Sequence, residues 1–260
     1  MQGRWQVGAV LATTLGAFTG LLSDGPLSSG LAVGEVDALV QAELLPTEAI
    51  GVEAWFSVGA SDATRSGVVG AFQQGEDYGK GWALMHWRDR NRGDVWFVSF
   101  FVAVEANDAA FADFSSWRSD PNSRGGLASV VARVTPAPAL DSWVHVAVDY
   151  DSAVSIVRIF VNGKMLASQA PCRGSCGRIQ YPSVSDYWAA ARPSLFSIGR
   201  VDNPAVYPDY LTPTGRASAA PLVNDCALLQ ASEGEISHRG MVGMVRIYPR
   251  RLADGEALSR

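Results

Sequence analysis

Short apolar runs separated by turn-forming residues recur from residue 31 to residue 250, and few of them are long enough to make a stable helix. That grammar commits the chain to strands. In WVHVAVDYD (143–151), period-2 placement sends Val144, Val146 and Val148 to one face and Trp143, His145, Ala147 and Asp149 to the other, so one set must be core. In IVRIFVNG (156–163), Val157, Ile159 and Val161 make a β-branched inward face, opposite Ile156, Arg158, Phe160 and Asn162. Arg158 is therefore expected on the outer side or at a sheet edge. VNGK (161–164) reads as a two-residue hairpin turn, because a type I′ turn needs positive φ at both central positions and Asn and Gly reach it at little cost.

The same reading places strands at 31–44 (broken by a turn at Gly34), 50–58, 67–74, 81–88, 94–104, 127–134, 143–151, 155–168, 194–200 and 240–250. No long helix is expected. Eight Trp, 26 Gly and 13 Pro with only 18% charged residues suit many short strands joined by turns. At 260 residues and 48% hydrophobic, the chain can bury a large core as one domain, 1–260. The polar stretches 105–126, 169–193 and 201–239 are too irregular for core strands and are expected as loops at the sandwich rim, where ligand sites concentrate.

Residues 7–22, VGAVLATTLGAFTGLL, follow Arg4 and invite a signal-peptide reading. They lack a good small-x-small cleavage site, are too short and too rich in Gly and Thr for a membrane span, and read better as the first strands of the domain. The formal charge of −5 argues against nucleic acid, whose binding draws on clustered Lys and Arg. Arg88, Arg90 and Arg92 do cluster, but Asp89 and Asp94 share the run, which reads as a solvated hairpin tip. Cys172 and Cys176 in PCRGSCG read as a disulfide across a Gly-rich turn, with buried free thiols as the alternative and Cys226 left over. A zinc site would need further ligands that His86, His145 and His238 do not supply at any ligand spacing.

Taken in order, VEAWFSV, GAFQQGEDYGKGWAL, DSWVHVAVDYDSAVSIVRIFVNGKM, FSIGR and GMVRIYPRRLADGEA resemble the laminin-G-like jelly-roll pattern of the concanavalin A-like superfamily over residues 20–258. The resemblance implies an all-β fold, a two-sheet antiparallel jelly-roll sandwich, and a recognition module of a secreted or surface protein. Trp55, Trp82 and Trp143 are large, flat and strand-borne and are expected to anchor core or inter-sheet packing, while the resemblance implies a locally hydrogen-bonded strand residue at His145. The family's acidic residue before the final strand is absent, since Met241–Met244 occupy that place.

Glycosidases on this sandwich use paired carboxylates on one strand face; the nearest run here, Glu35-Val36-Asp37, has no third carboxylate after it. The chain also has no Gly-x-Ser-x-Gly elbow, phosphate loop, dinucleotide fingerprint or His-Glu-x-x-His motif. The expectation is a non-catalytic module that binds glycan or protein at its rim as one part of a larger protein, against two alternatives: a glycoside hydrolase or lyase with atypical residues, and a structural or oligomerisation domain. Candidate ligand residues are the loop aromatics Trp117, Tyr187, Trp188, Tyr207 and Tyr210, with Arg118, Asn122 and Asp186 as polar companions. No cofactor is required; Ca²⁺ has candidate ligands in Glu76 and Asp77 and in Asp202, Asn203 and Asp209.

Overall fold

A computed structural model describes residues 8–9, 18–19, 31–59, 66–74, 79–89, 95–106, 125–172, 175–182, 194–202, 235–238 and 240–256. Sixteen strands and one short helix occur among them: β1 (Gly8–Ala9), β2 (Phe18–Thr19), β3 (Leu31–Glu35), α1 (Val36–Gln41), β4 (Ala49–Ser57), β5 (Ser66–Gln74), β6 (Gly79–Asp89), β7 (Val95–Ala106), β8 (Gly125–Val134), β9 (Trp143–Asp151), β10 (Ile156–Val161), β11 (Lys164–Gln169), β12 (Cys176–Ile179), β13 (Leu195–Ile198), β14 (Arg200–Asp202), β15 (Glu235–Ser237) and β16 (Val242–Tyr248). They form two seven-stranded antiparallel sheets. Sheet A runs β1-β2-β16-β4-β9-β10-β11; sheet B runs β12-β7-β6-β5-β13-β3, with β8 on the other flank of β7, and β14-β15 form a separate ribbon. Among the described residues no helix is long and apolar enough to cross a membrane.

The alternation in β9 sets the layer order. Val144, Val146 and Val148 are at most 1% exposed and join Val52, Ala54 and Phe56 of β4 in the core, where they meet Trp82, Leu84, Val98 and Phe100 of sheet B. β4 and β9 pair without a break from Ala49↔Asp151 to Ser57↔Trp143, so each inward residue of one strand lies beside an inward residue of the other. The β10–β11 hairpin turns at Asn162 (φ 48°) and Gly163 (φ 78°), with Val161 opposite Lys164. Across the core, the Trp82 indole donates to the Tyr181 hydroxyl at 3.0 Å, which donates to the Pro46 carbonyl at 2.8 Å.

Three expectations need correcting. The 31–44 strand ends at Glu35 and gives way to α1, because Val36, Leu39 and Val40 are apolar at helical spacing; the first is buried and the other two pack on the core. The loop expected at 169–193 contains β12, which extends the β7 ladder through Cys176↔Ala106 and Ile179↔Val104. The loop expected at 201–239 contains β14 and β15. Arg158 does lie on the outer side but is 4% exposed: Asp149 takes its Nε and Nη2, the Leu252 carbonyl takes Nη2 and Asp254 takes Nη1, all within 3.2 Å. These bonds pin the C-terminal segment 249–256 across the outer face of sheet A, with the Leu252 amide closing the loop onto Asp149 at 3.2 Å.

Candidate functional site

The end of the sandwich where β4 finishes and β9 and β16 begin is bolted together by backbone. The Asp141 amide donates to the Val58 carbonyl at 2.6 Å and the Val58 amide to Ser142 at 3.1 Å. Ser57 holds the other flank: its amide donates to the Met241 carbonyl at 2.8 Å, and its hydroxyl accepts the Met241 amide at 2.8 Å. Between the two fixed segments stands Trp143, expected in the core but 42% exposed. Its ring lies on the backbone of Gly243, where a Cβ would come within 2.8 and 3.0 Å of ring carbons Cζ3 and Cη2. One part of the indole is thus seated on β16 and the rest faces water, the arrangement in which an aromatic ring can take the C–H face of a sugar. Leu140 (42%) and Met241 (38%) are exposed on the same two flanking segments.

Inward from Trp143, the outer face of sheet A carries a packed polar cluster. Trp55, half-buried, stacks on His145 with centroids 4.7 Å apart. The buried Glu53 carboxylate accepts the Tyr248 hydroxyl at 2.8 Å and lies 3.6 Å from Arg246 Nη1 and 3.8 Å from His145 Nε2. Burial pulls the His145 pKa below its ordinary value and Arg246 adds to this, while Glu53 opposes both. Burial and the bond to Glu53 push the Tyr248 hydroxyl up. The local hydrogen bond expected of His145 is made by its backbone amide, to Asn162 Oδ1 at 2.9 Å; neither ring nitrogen has a hydrogen-bond partner among the described residues. Glu53 is 1% exposed and its Oε2 accepts the Tyr248 hydroxyl, so burial keeps this carboxylate away from a substrate.

The two other histidines, far apart in sequence, meet in the core. The Trp96 indole can only donate, and it donates to His86 Nδ1 at 3.1 Å, so the His86 proton sits on Nε2 and points to His238 Nδ1 at 3.1 Å. His86 is fully buried, and burial, reinforced by His238, lowers its pKa well below the ordinary value. This contact escaped the sequence because no spacing rule links residues 152 apart.

The sequence candidates divide sharply. Trp117, Tyr187, Trp188, Tyr207, Tyr210, Glu76, Asp77, Asn203 and Asp209 lie outside the described residues, and of Asp202 only the backbone is described, paired with Glu235. Cys172 and Cys176 form a disulfide. Ser155 ties it to the β9–β10 turn, its hydroxyl accepting the Cys176 amide at 2.9 Å. Among the described residues no group of three or more His, Cys, Asp or Glu could hold a metal. The Glu35-Val36-Asp37 run is split: Glu35 closes β3, and Asp37 sits in the first turn of α1, bonded to Gln41 at 2.5 Å. The two carboxylates therefore do not share a strand face.

The chain is similar in fold to the CBM40 of the Ruminococcus gnavus IT-sialidase bound to α2,3-sialyllactose, at 13% identity and a TM-score of 0.53 over 95% of this chain and 98% of that one. It is also similar to the leech intramolecular trans-sialidase complexed with 2,7-anhydro-Neu5Ac, at 11% identity and a TM-score of 0.51, covering 95% of this chain but 27% of that one. No curated protein sequence matches it. A family model described as the concanavalin A-like lectin/glucanases superfamily matches residues 34–215. With that match over most of the chain and the two-sheet antiparallel sandwich, the protein belongs to the concanavalin A-like lectin/glucanase superfamily, as a laminin-G-type jelly-roll domain.

Proposed function

We propose that the domain is a non-catalytic recognition module that binds glycan at the rim of its sandwich, as part of a secreted or surface protein. The observation that carries this reading is Trp143, an exposed indole held on Gly243 between two backbone-fixed segments. A ring whose orientation is fixed before binding loses little entropy when a sugar stacks on it. The carbohydrate-binding character of its structural neighbours agrees with this coarse reading. The buried carboxylates of the sheet A outer face support a non-catalytic role, since Glu53 and Asp149 are each committed to neighbouring side chains. The rim aromatics Trp117, Tyr187, Trp188, Tyr207 and Tyr210 are proposed to extend the platform. Glu76, Asp77, Asp202, Asn203 and Asp209 are proposed as ligands should Ca²⁺ stiffen the loops.

The test is titration with soluble polysaccharides while following tryptophan fluorescence, with and without Ca²⁺. Trp143→Ala should abolish the response while changing stability by about 1 kcal/mol or less. Gly243→Val, which puts a side chain where the ring rests, should do the same. Unchanged binding in both variants, or no binding to any polysaccharide, would sink the glycan reading. A protein ligand is the second reading, favoured by Leu140 and Met241 beside Trp143. Pull-down of a partner that Leu140→Ser and Met241→Ser release would select it.

A further inference from the structure

The outer face of sheet A holds an open depression of about 760 Å³ between the β10–β11 hairpin and the C-terminal segment, lined by Arg158, Phe160, Asn162, Lys164, Arg251 and Asp254 among others. Its floor is apolar and cationic at once: the Arg158 guanidinium lies 5.2 Å from the centroid of the Phe160 ring. Asp149 neutralises Arg158 from below, and Asp254, 93% exposed on the rim, takes Nη1 at 2.6 Å. Arg250, next in the chain, is committed to Glu256, whose carboxyl this pairing lowers to about 2. Lys164 and Arg251 are different. Lys164 is exposed and Arg251 half-buried, and among the described residues neither has a carboxylate within ion-pair distance. Counting Arg158, Lys164 and Arg251 against Asp149 and Asp254 leaves +1 in the depression, on a chain whose formal charge is −5.

We infer that this depression is a second subsite, for an acidic group carried by a saccharide, with Lys164 and Arg251 supplying the charge and Asn162 and Ser168 neutral hydrogen bonds. A carboxylate fits two flanking cations better than a neutral hydroxyl does, because charge-assisted hydrogen bonds are about twice as strong as neutral ones. The inference rests on the recognition reading only in taking the ligand to be a saccharide; it does not use Trp143. Asp254 is the acidic group that an incoming anion must pass.

The test compares oligogalacturonate, which carries a carboxylate on each sugar, with its methyl-esterified form, by calorimetry on the whole chain. Oligogalacturonate should bind and the ester should bind about tenfold or more weakly. Lys164→Ser with Arg251→Ser should weaken the acid form by about tenfold and leave the ester unchanged. Asp254→Asn should tighten the acid form, a gain that loss of structure would not produce, and binding should weaken with salt. Equal affinity for acid and ester, no effect of the double substitution, or no binding of the acid form would overturn the inference. Trp143-dependent binding of neutral polysaccharide alongside any of those results would leave the recognition reading standing.

Discussion

On the outer face of sheet A, Glu53, Asp149 and Arg158 are buried at 4% exposure or less, each paired to side chains of neighbouring strands, and the C-terminal segment is pinned over them by the same groups. The outer face of sheet B is closed by hydrocarbon instead: Phe72, Ala83, Met85, Phe101, Ala103 and Val201 of β14 form a separate cluster at 0% exposure. The polar solution is directional, because every donor must meet an acceptor, and it fixes where the C-terminal segment lies. The apolar one tolerates adjustment of shape but depends on volume. The accessible candidate sites follow the first kind, since Trp143, Lys164 and Arg251 lie on or beside sheet A where partners with fixed geometry hold the surrounding backbone.

The contrast can be broken at either face, and the largest expected effects come from the buried cores of each. Phe101→Ala should cost about 3–5 kcal/mol in urea unfolding, the range for emptying a fully packed aromatic site. Asp149→Ala should cost about 3–5 kcal/mol too, but for another reason: it leaves Arg158 buried without its main partner. The two costs separate in a second step. Asp149→Leu combined with Arg158→Met, which removes both charges, should recover most of the loss, because the penalty comes from the orphaned group. Failure to recover would mean that the Leu252 and Asp254 contacts matter more than the charge pair, and the C-terminal segment would then become protease-sensitive.

The sandwich was legible in the sequence because its strands obey a local rule. Val144, Val146 and Val148 alternate, Asn162-Gly163 turns, and both facts need only neighbours in the chain. α1 was misread because an apolar run satisfies strand and helix periods alike over six residues. The platform was misread differently. Alternation already put Trp143 opposite the valines, yet the size of a tryptophan argued for core; the deciding neighbour, Gly243, comes from β16, a hundred residues on. Arg158 was placed on the correct face, but its burial depends on Leu252 and Asp254, which no strand pattern connects to it.

The smallest expected effect tests how the polar solution responds to protons. His86 in the core and His145 on the sheet A outer face both have pKa values lowered from 6.5, chiefly by burial. The unfolded chain therefore binds more protons than the folded one once the pH falls below about 6.5. Stability should be complete above that pH and decline below it, by at most about 1.4 kcal/mol per pH unit for each histidine. Unfolding in urea at pH 7.5 and 5.5 measures the slope, and the two sites differ in what surrounds them. His145 has Glu53 at 3.8 Å, which favours its charged form, whereas His86 lies against the Trp96 indole, His238 and the Phe56 ring, and His238 opposes its charged form. Glu53→Gln should therefore steepen the decline, since it removes the one nearby group that welcomes the His145 proton. A flatter decline in that variant would show that Glu53 acts mainly through its hydrogen bond from Tyr248 and its ion pair with Arg246, and that these contacts, not its histidine, hold the outer-face cluster together.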